Sequence, residues 1–137
     1  MKIFVDTSIF IALLVSSETD HQKVRAAYED YKRKRVIFFT SDYILDELFT
    51  RIVYDFGKSF VNKVIKITEK AIKEDELKLL RVDSLIFLEA LRLFTKYAEH
   101  RLSFTDATSA VFLRELKLDE IFTLDSDFKK LRLKTTF

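Results

Sequence analysis

The chain begins with MKIFVDTSIFIALL (residues 1–14), in which one carboxylate separates two apolar segments. The first segment is typical of a short buried strand. The second, at about residues 8–15, is typical of a helix with Thr7 or Ser8 as its N-cap. Asp6 lies between them, and two interpretations are open. Its side chain either caps the helix that follows or helps to hold a ligand at the end of the strand.

The alternation of short apolar runs and longer amphipathic stretches continues along the chain. Strands are predicted at residues 2–5, 36–40, 77–82 and 120–124, and further helices at about 20–35, 41–57, 58–74, 84–100 and 104–117. Gly57 is predicted to end its helix in a left-handed conformation, and residues 133–137 could add an edge strand. This order predicts an α/β fold of three layers, with a mainly parallel sheet of four to five strands flanked by helices.

Composition narrows the classes of function. A chain of 137 residues predicts one domain, 1–137, and no apolar run is long enough to cross a bilayer, so we expect a cytoplasmic protein without a membrane partner. The absence of cysteine excludes disulfides and thiolate metal sites, and two histidines give little support to zinc chemistry. A single glycine excludes the glycine-rich loops that bind nucleotide phosphates.

Four acidic side chains are candidates for a metal site. Asp6 and Asp125 each follow a predicted strand, Asp106 lies in the first turn of a helix, and Glu47 lies within another helix. Ligands of parallel sheets bind at the carboxyl ends of the strands, near the point where strand order reverses. Carboxylates gathered there would repel one another by roughly 1–4 kcal/mol per close pair, so such a cluster requires a cation. Oxygen ligands favour Mg²⁺ or Mn²⁺.

Each acid also has a structural interpretation. Asp6 and Asp125 are both placed where helix N-caps occur. Asp106 has the spacing of a capping box. Glu47 stands four residues before Arg51, which is the spacing of an ordinary surface ion pair, and the helical wheel turns it away from the centre of the apolar stripe. No single position decides between structure and function.

Taken together, four acidic motifs resemble those of the PIN domain, in particular the VapC-type toxin ribonucleases of toxin–antitoxin pairs. The motifs are KIFVDTS (2–8), ILDELFTR (44–51), LSFTDAT (102–108) and IFTLDSDF (121–128). The resemblance spans nearly the whole chain. It implies that the metal ligands and catalytic residues are Asp6, Glu47, Asp106 and Asp125, with Asp127 as a candidate fifth ligand. Asp46 ranks below Glu47 because it falls outside the match.

The resemblance also implies a function and its partners. The protein would be a Mg²⁺- or Mn²⁺-dependent endoribonuclease, with RNA as substrate, a cognate antitoxin and a homodimeric assembly. Substrate-binding candidates beside the metal site are Thr7, Ser8, Arg51, Thr105 and Thr123. Basic residues concentrated at 21–35 and 128–137 could form a rim for RNA phosphates. A stand-alone RNA-processing nuclease, or a non-catalytic module that binds RNA or protein, remains an alternative.

Overall fold

Four parallel strands form one sheet in the order β3-β2-β1-β4. The structure, a computed structural model, describes residues 1–137. The strands are β1 (Lys2–Val5), β2 (Ile37–Ser41), β3 (Leu77–Leu80) and β4 (Glu120–Phe122). The predicted α/β fold with a parallel sheet is therefore confirmed. Strand order reverses between β1 and β4, so the crevice where ligands bind lies at the carboxyl ends of these two strands.

Six helices cover the two faces of the sheet. They are α1 (Thr7–Leu14), α2 (His21–Arg33), α3 (Asp42–Phe56), α4 (Lys58–Lys73), α5 (Ser84–Lys96) and α6 (Phe104–Glu115). Side chains alternate along β1, so Phe4 packs with α5 and α6, whereas Ile3 and Val5 pack with α1 and α2 on the other face. A third apolar cluster joins α1 to α3 and α4. Burial of β1 on both faces gives the residues that follow it a rigid support.

Several element boundaries differ from those predicted. Helix α1 begins at Thr7, so its N-cap position is Asp6 and not Thr7 or Ser8. Helix α5 ends at Lys96 instead of continuing to residue 100, because the backbone leaves the helix at Tyr97 and a 3₁₀-helix, Ala98–His100, follows. None of the helices is long and apolar enough to cross a lipid bilayer.

The predictions for the C-terminal part of the sheet and for the end of α3 also need correction. Strand β4 stops at Phe122, and the suggested edge strand at 133–137 is reduced to a single bridge between Thr135 and Ile121. Gly57 has the positive φ, 86°, that favours glycine, but its ψ of 177° is extended and not that of a left-handed helix. It thereby ends α3 and starts α4 in one sharp turn.

A buried carboxylate fastens the C-terminal segment to the amino end of β4. Glu120, only 4% exposed, accepts hydrogen bonds from the hydroxyls of Tyr31 and Thr136. Its other oxygen lies 3.1 Å from Nζ of Lys134. Burial raises the pKa of Glu120, but the hydrogen bonds from Tyr31, Thr136 and Lys134 outweigh burial and leave the pKa below its usual value. We name these four residues the C-terminal clasp. The clasp holds Lys134 at the amino ends of the strands, away from Asp6.

Candidate metal centre

Asp6 is buried at the carboxyl end of β1 and does not cap α1. It is 6% exposed, and its side chain makes no capping hydrogen bond. Instead, Oδ2 accepts hydrogen bonds from the hydroxyls of Thr123 (2.8 Å) and Ser8 (2.9 Å). Burial raises the pKa of this carboxyl above its ordinary value, and the charge of Asp125 acts in the same direction. The structure therefore does not support the capping interpretation of Asp6.

The two hydroxyls that hold Asp6 also join the end of β1 to the end of β4. Oγ of Ser8 accepts a hydrogen bond from the backbone N–H of Leu124 (3.1 Å), and Oγ1 of Thr123 accepts one from that of Asp125 (3.0 Å). Because each hydroxyl donates to Asp6 and accepts from the backbone, its position is fixed. Ser8 and Thr123 therefore orient Asp6.

Asp125 begins a 3₁₀-helix, Ser126–Leu131, and its Oδ1 accepts a hydrogen bond from the backbone N–H of Asp127 (2.9 Å). Asp127 itself is ion-paired with Lys130 at 2.7 Å, and this hydrogen-bonded pair holds the pKa of Asp127 below its usual value. The structure thus places Asp125 beside Asp6 and turns the carboxylate of Asp127 toward a lysine.

Asp106 forms the predicted capping box and also lies close enough to Asp6 and Asp125 to be affected by their charges. Its backbone N–H donates to Oγ of Ser103 (2.9 Å), while its Oδ2 accepts from the backbone N–H of Ser103 (3.0 Å), which confirms the capping box at the start of α6. Burial raises its pKa to about 6, and the charges of Asp6 and Asp125 add to the increase. The side chain therefore caps a helix and also faces the other carboxylates.

Glu47 faces the same site from α3. Its side chain is 36% exposed, and Oε1 lies 3.9 Å from the guanidinium of Arg51. Burial raises the pKa of Glu47, the charge of Asp6 raises it further, and Arg51 opposes both effects. The neighbouring Asp46 is exposed. The structure therefore supports ranking Glu47 above Asp46, although the helical wheel suggested a solvated position for it.

The charges of Asp6 and Asp125 act on neighbouring acids of the site, but the four carboxylates do not form a coordination shell. No group of three or more acidic or histidine side chains is close enough together to hold one metal ion in this conformation. The donor set nevertheless fits a hard cation, since it consists of carboxylate and hydroxyl oxygens. Oγ1 of Thr7 is buried without a hydrogen-bond partner. It lies near Glu47, and this proximity acts to lower the pKa of Glu47. A bound cation would neutralise the mutual repulsion of these carboxylates.

Two residues complete the surroundings of the site. Thr105 precedes Asp106 in α6, and its hydroxyl makes no hydrogen bond to the carboxylates, while its carbonyl accepts from Thr108 and Ser109. Arg101 was not predicted from the sequence. It adopts a left-handed conformation (φ 57°) before α6, and its charge helps to lower the pKa of Asp127. Its position immediately before LSFTDAT was the only available signal.

We expect the metal-free protein to lose stability as the pH rises from about 4 to about 6. Asp106 has an ordinary pKa of 3.8 and a folded-state pKa of about 6, so in this range the folded state binds more protons than the unfolded state. The pKa values of Asp6 and Glu47 shift in the same direction. The acids whose pKa is lowered, of which Glu120 has the highest ordinary value (4.5), oppose this trend mainly at the acidic end of the range. Chemical denaturation in EDTA across this range measures the effect.

The Asp106→Asn variant provides the control for this pH dependence. It lacks the titrating group, so its stability should change less with pH over the same range. A wild-type stability that increases from about pH 4 to about pH 6 would contradict the raised pKa values.

The chain resembles known proteins both in sequence and in fold. A family model described as PIN domain matches residues 3–134. No curated protein matches the sequence. Among solved structures, VapC20 of Mycobacterium tuberculosis, a sarcin-ricin loop cleaving toxin, is similar with a TM-score of 0.81 and 22% identity, covering 96% of this chain and 95% of that chain.

Two further structures share the fold. VapBC2 from Rickettsia felis, bound to a DNA fragment from their promoter, has a TM-score of 0.73 and 15% identity, covering 98% of this chain and 97% of that chain. FitAcB from Neisseria gonorrhoeae has a TM-score of 0.71 and 16% identity, covering 97% and 95%. At these identities the likeness establishes the fold.

Proposed function

The chain belongs to the PIN domain family, and from this premise we propose that it is a metal-dependent endoribonuclease and the toxin of a toxin–antitoxin pair. One observation carries the proposal. Carboxylates that follow β1 and β4 or belong to α3 and α6 lie near the point where strand order reverses, and the pKa values of three of them are raised by burial and by the charges of neighbouring acids. Such a cluster is unfavourable without a cation.

The proposed metal ligands are Asp6, Glu47, Asp106 and Asp125, with Asp127 as a further candidate once it leaves Lys130. When bound, Mg²⁺ or Mn²⁺ supplies Lewis-acid activation of the phosphodiester and of the attacking water. The residues of the chain itself orient the ligands and keep bulk water away from them. Ser8 and Thr123 keep the carboxylate of Asp6 in one orientation, and burial of Asp6 keeps bulk water away from it.

Side chains at the edge of the cluster are the proposed substrate contacts. Arg51 is 52% exposed and lies next to Glu47, so its guanidinium can reach a phosphate while remaining beside the carboxylates. Thr105 offers a further hydroxyl at the start of α6, whereas the hydroxyl of Thr7 is buried in this conformation and cannot contact a substrate there. We also propose an antitoxin partner and a homodimeric assembly, in line with the VapC relationship.

The decisive experiment measures cleavage of single-stranded RNA with Mg²⁺ or Mn²⁺ and with EDTA. Cleavage should require the metal, because the site contains oxygen donors only. Mn²⁺ at about 100 times its Kd should also stabilise the folded protein by roughly 2.7 kcal/mol, a rise of several degrees in Tm.

A matched control is Asp30→Asn, which removes an exposed carboxylate of α2 that pairs with Lys34. This variant should keep both the cleavage and the Mn²⁺-dependent rise in Tm. Full activity in EDTA would contradict the metal mechanism. A Tm rise without any cleavage would favour the non-catalytic alternative.

A further inference from the structure

A groove lined by basic side chains lies between the carboxyl ends of α5 and α6 and the segment that follows β4. Its volume is about 640 Å³, and its lining includes Lys96, Arg114, Lys130 and Arg132, together with Tyr97 and two leucines, and no acidic residue. We name it the basic groove. It lies outside the carboxylate site, and its basic residues come from three separate elements of the fold.

Most of the positive charge in the basic groove is not neutralised. Lys96, Arg114 and Arg132 form no ion pair, and the guanidinium of Arg114 only donates to the carbonyl of Leu131 at 3.4 Å. Lys130 alone is paired, with Asp127. Like charges held together without counter-charges repel one another, so such a cluster is the electrostatic footprint of a polyanion.

An adjoining cavity contains the acids that could cancel this charge. It shares Lys96 and Arg114 with the basic groove and contains Glu89 and Glu115. Glu89 is already paired with Arg92 at 2.7 Å, so its charge is used locally. Within the linings of the two cavities, Glu115 is then the one unpaired acid against three unpaired cations, so the charge there stays positive.

The basic groove begins beside the carboxylate site and leads away from it. Lys130 pairs with Asp127, whose backbone N–H donates to Asp125, so one end of the groove adjoins the cluster. The connecting 3₁₀-helix, Ser126–Leu131, spans about 12 Å at a rise of about 2.0 Å per residue. Tyr97 adds a half-buried aromatic ring that packs against the apolar core and lies 5.7 Å from the ring of His100, with Nζ of Lys96 5.5 Å from its centroid. Rings beside basic side chains are suited to stacking unpaired bases.

We propose that the basic groove binds phosphates of single-stranded RNA that flank the cleaved bond. This role rests on the proposed nuclease function, since the phosphodiester in the carboxylate site gives the chain of phosphates its starting point. RNA is favoured over an acidic protein segment, because the groove combines several cations with an aromatic ring and adjoins the proposed site for phosphodiesters through Lys130.

The test compares two triple variants with equal loss of charge. The groove variant carries Lys96→Gln, Arg114→Gln and Arg132→Gln. The control carries Lys63→Gln, Lys66→Gln and Lys70→Gln, which are exposed and unpaired on α4. Both are made in an Asp6→Asn background, and binding of a fluorescent single-stranded RNA is measured by anisotropy in EDTA, so no step depends on cleavage.

The groove variant should lose about two units of slope in a plot of log K against log salt concentration, since each phosphate contact on a single strand contributes about 0.7. Between about 50 and 200 mM salt, the parent should therefore weaken roughly 15- to 20-fold more than the groove variant. The control should keep the slope of the parent. Thermal melting checks that both triple variants fold.

Equal slopes for the two triple variants, or no change in either, would overturn the proposal. So would binding of a poly-glutamate peptide that depends on the groove residues while RNA binding does not. Groove-dependent RNA binding by a protein whose wild type cleaves no RNA would support the groove and refute the nuclease activity, so the two failures are distinguishable.

Discussion

Asp6→Asn should abolish RNA cleavage and, in the same protein, raise the Tm of the metal-free form. Loss of activity is expected because a carboxylate ligand is removed. Changes to groups that only support a metal ligand already cost 10–100-fold, so a loss of about a hundredfold or more is expected for a ligand itself. The gain in stability is expected because burial and neighbouring acids disfavour the charged form of Asp6, and an amide carries no charge.

The hydrogen bonds of Asp6 should survive this substitution. The side-chain oxygen of Asn can accept from the hydroxyls of Ser8 and Thr123 as Oδ2 of Asp6 does. Cleavage assays with Mn²⁺ and melting curves in EDTA measure the two effects, and most of the Mn²⁺-dependent rise in Tm should vanish. Asp6→Ala is the companion variant, because Ala offers neither a charge nor a hydrogen-bond acceptor at this position.

Two results would return Asp6 to a structural role. One is normal cleavage by Asp6→Asn. The other is a clear loss of metal-free stability in Asp6→Asn itself, together with no effect of Mn²⁺ on the wild type. A loss of metal-free stability in Asp6→Ala alone would not show that Asp6 is a cap, because this substitution also removes the acceptor that the hydroxyls of Ser8 and Thr123 require.

Glu120→Ala should destabilise the protein by about 2–4 kcal/mol, since it leaves the buried hydroxyl of Tyr31 without its carboxylate partner and removes hydrogen bonds to a charged group. Lys134 adds little, because its side chain is 69% exposed. Denaturation in urea at neutral pH measures the loss. The matched control is Glu115→Ala at an exposed position on α6, which should change stability by less than about 0.5 kcal/mol.

Glu120→Gln separates charge from shape in the same position. It keeps an acceptor for Tyr31 and Thr136 but loses the charge that strengthens both hydrogen bonds, so its loss should lie between those of the wild type and Glu120→Ala. Equal stability of Glu120→Ala and wild type would show that the C-terminal clasp contributes nothing to the fold.

The placement of Asp6 and Asp125 could be predicted from the sequence because both depend on a local rule. Each follows a strand, and parallel strands bring their carboxyl ends to one edge of the sheet. The capping box of Asp106 is local as well, and the structure confirms it. Glu47 was harder to place, since a helical wheel gives a direction relative to the apolar stripe and not the position of the neighbouring strand ends.

The basic groove could not be predicted because it assembles residues that are far apart in the chain. Lys96 and Arg114 lie at the ends of different helices, and Arg132 follows a 3₁₀-helix after β4. The basic run at 128–137 includes Lys134 along with Arg132. The C-terminal clasp, however, holds Lys134 at the amino ends of the strands. The run of basic residues at 128–137 therefore includes part of the basic groove together with one residue, Lys134, that lies outside it.

The double use of Asp106 has a consequence for how the family diversifies. Losing the carboxylate of Asp6 relieves repulsion, whereas losing that of Asp106 also removes half of the capping box that starts α6. In a lineage that no longer needs these charges, replacement of Asp6 by an amide is therefore tolerated more readily than replacement of Asp106 by a residue that cannot complete the capping box. Inactive descendants of such a protein should retain an acid or amide at the Asp106 position long after Asp6 has drifted, so Asp106 alone is a poor marker of an active enzyme.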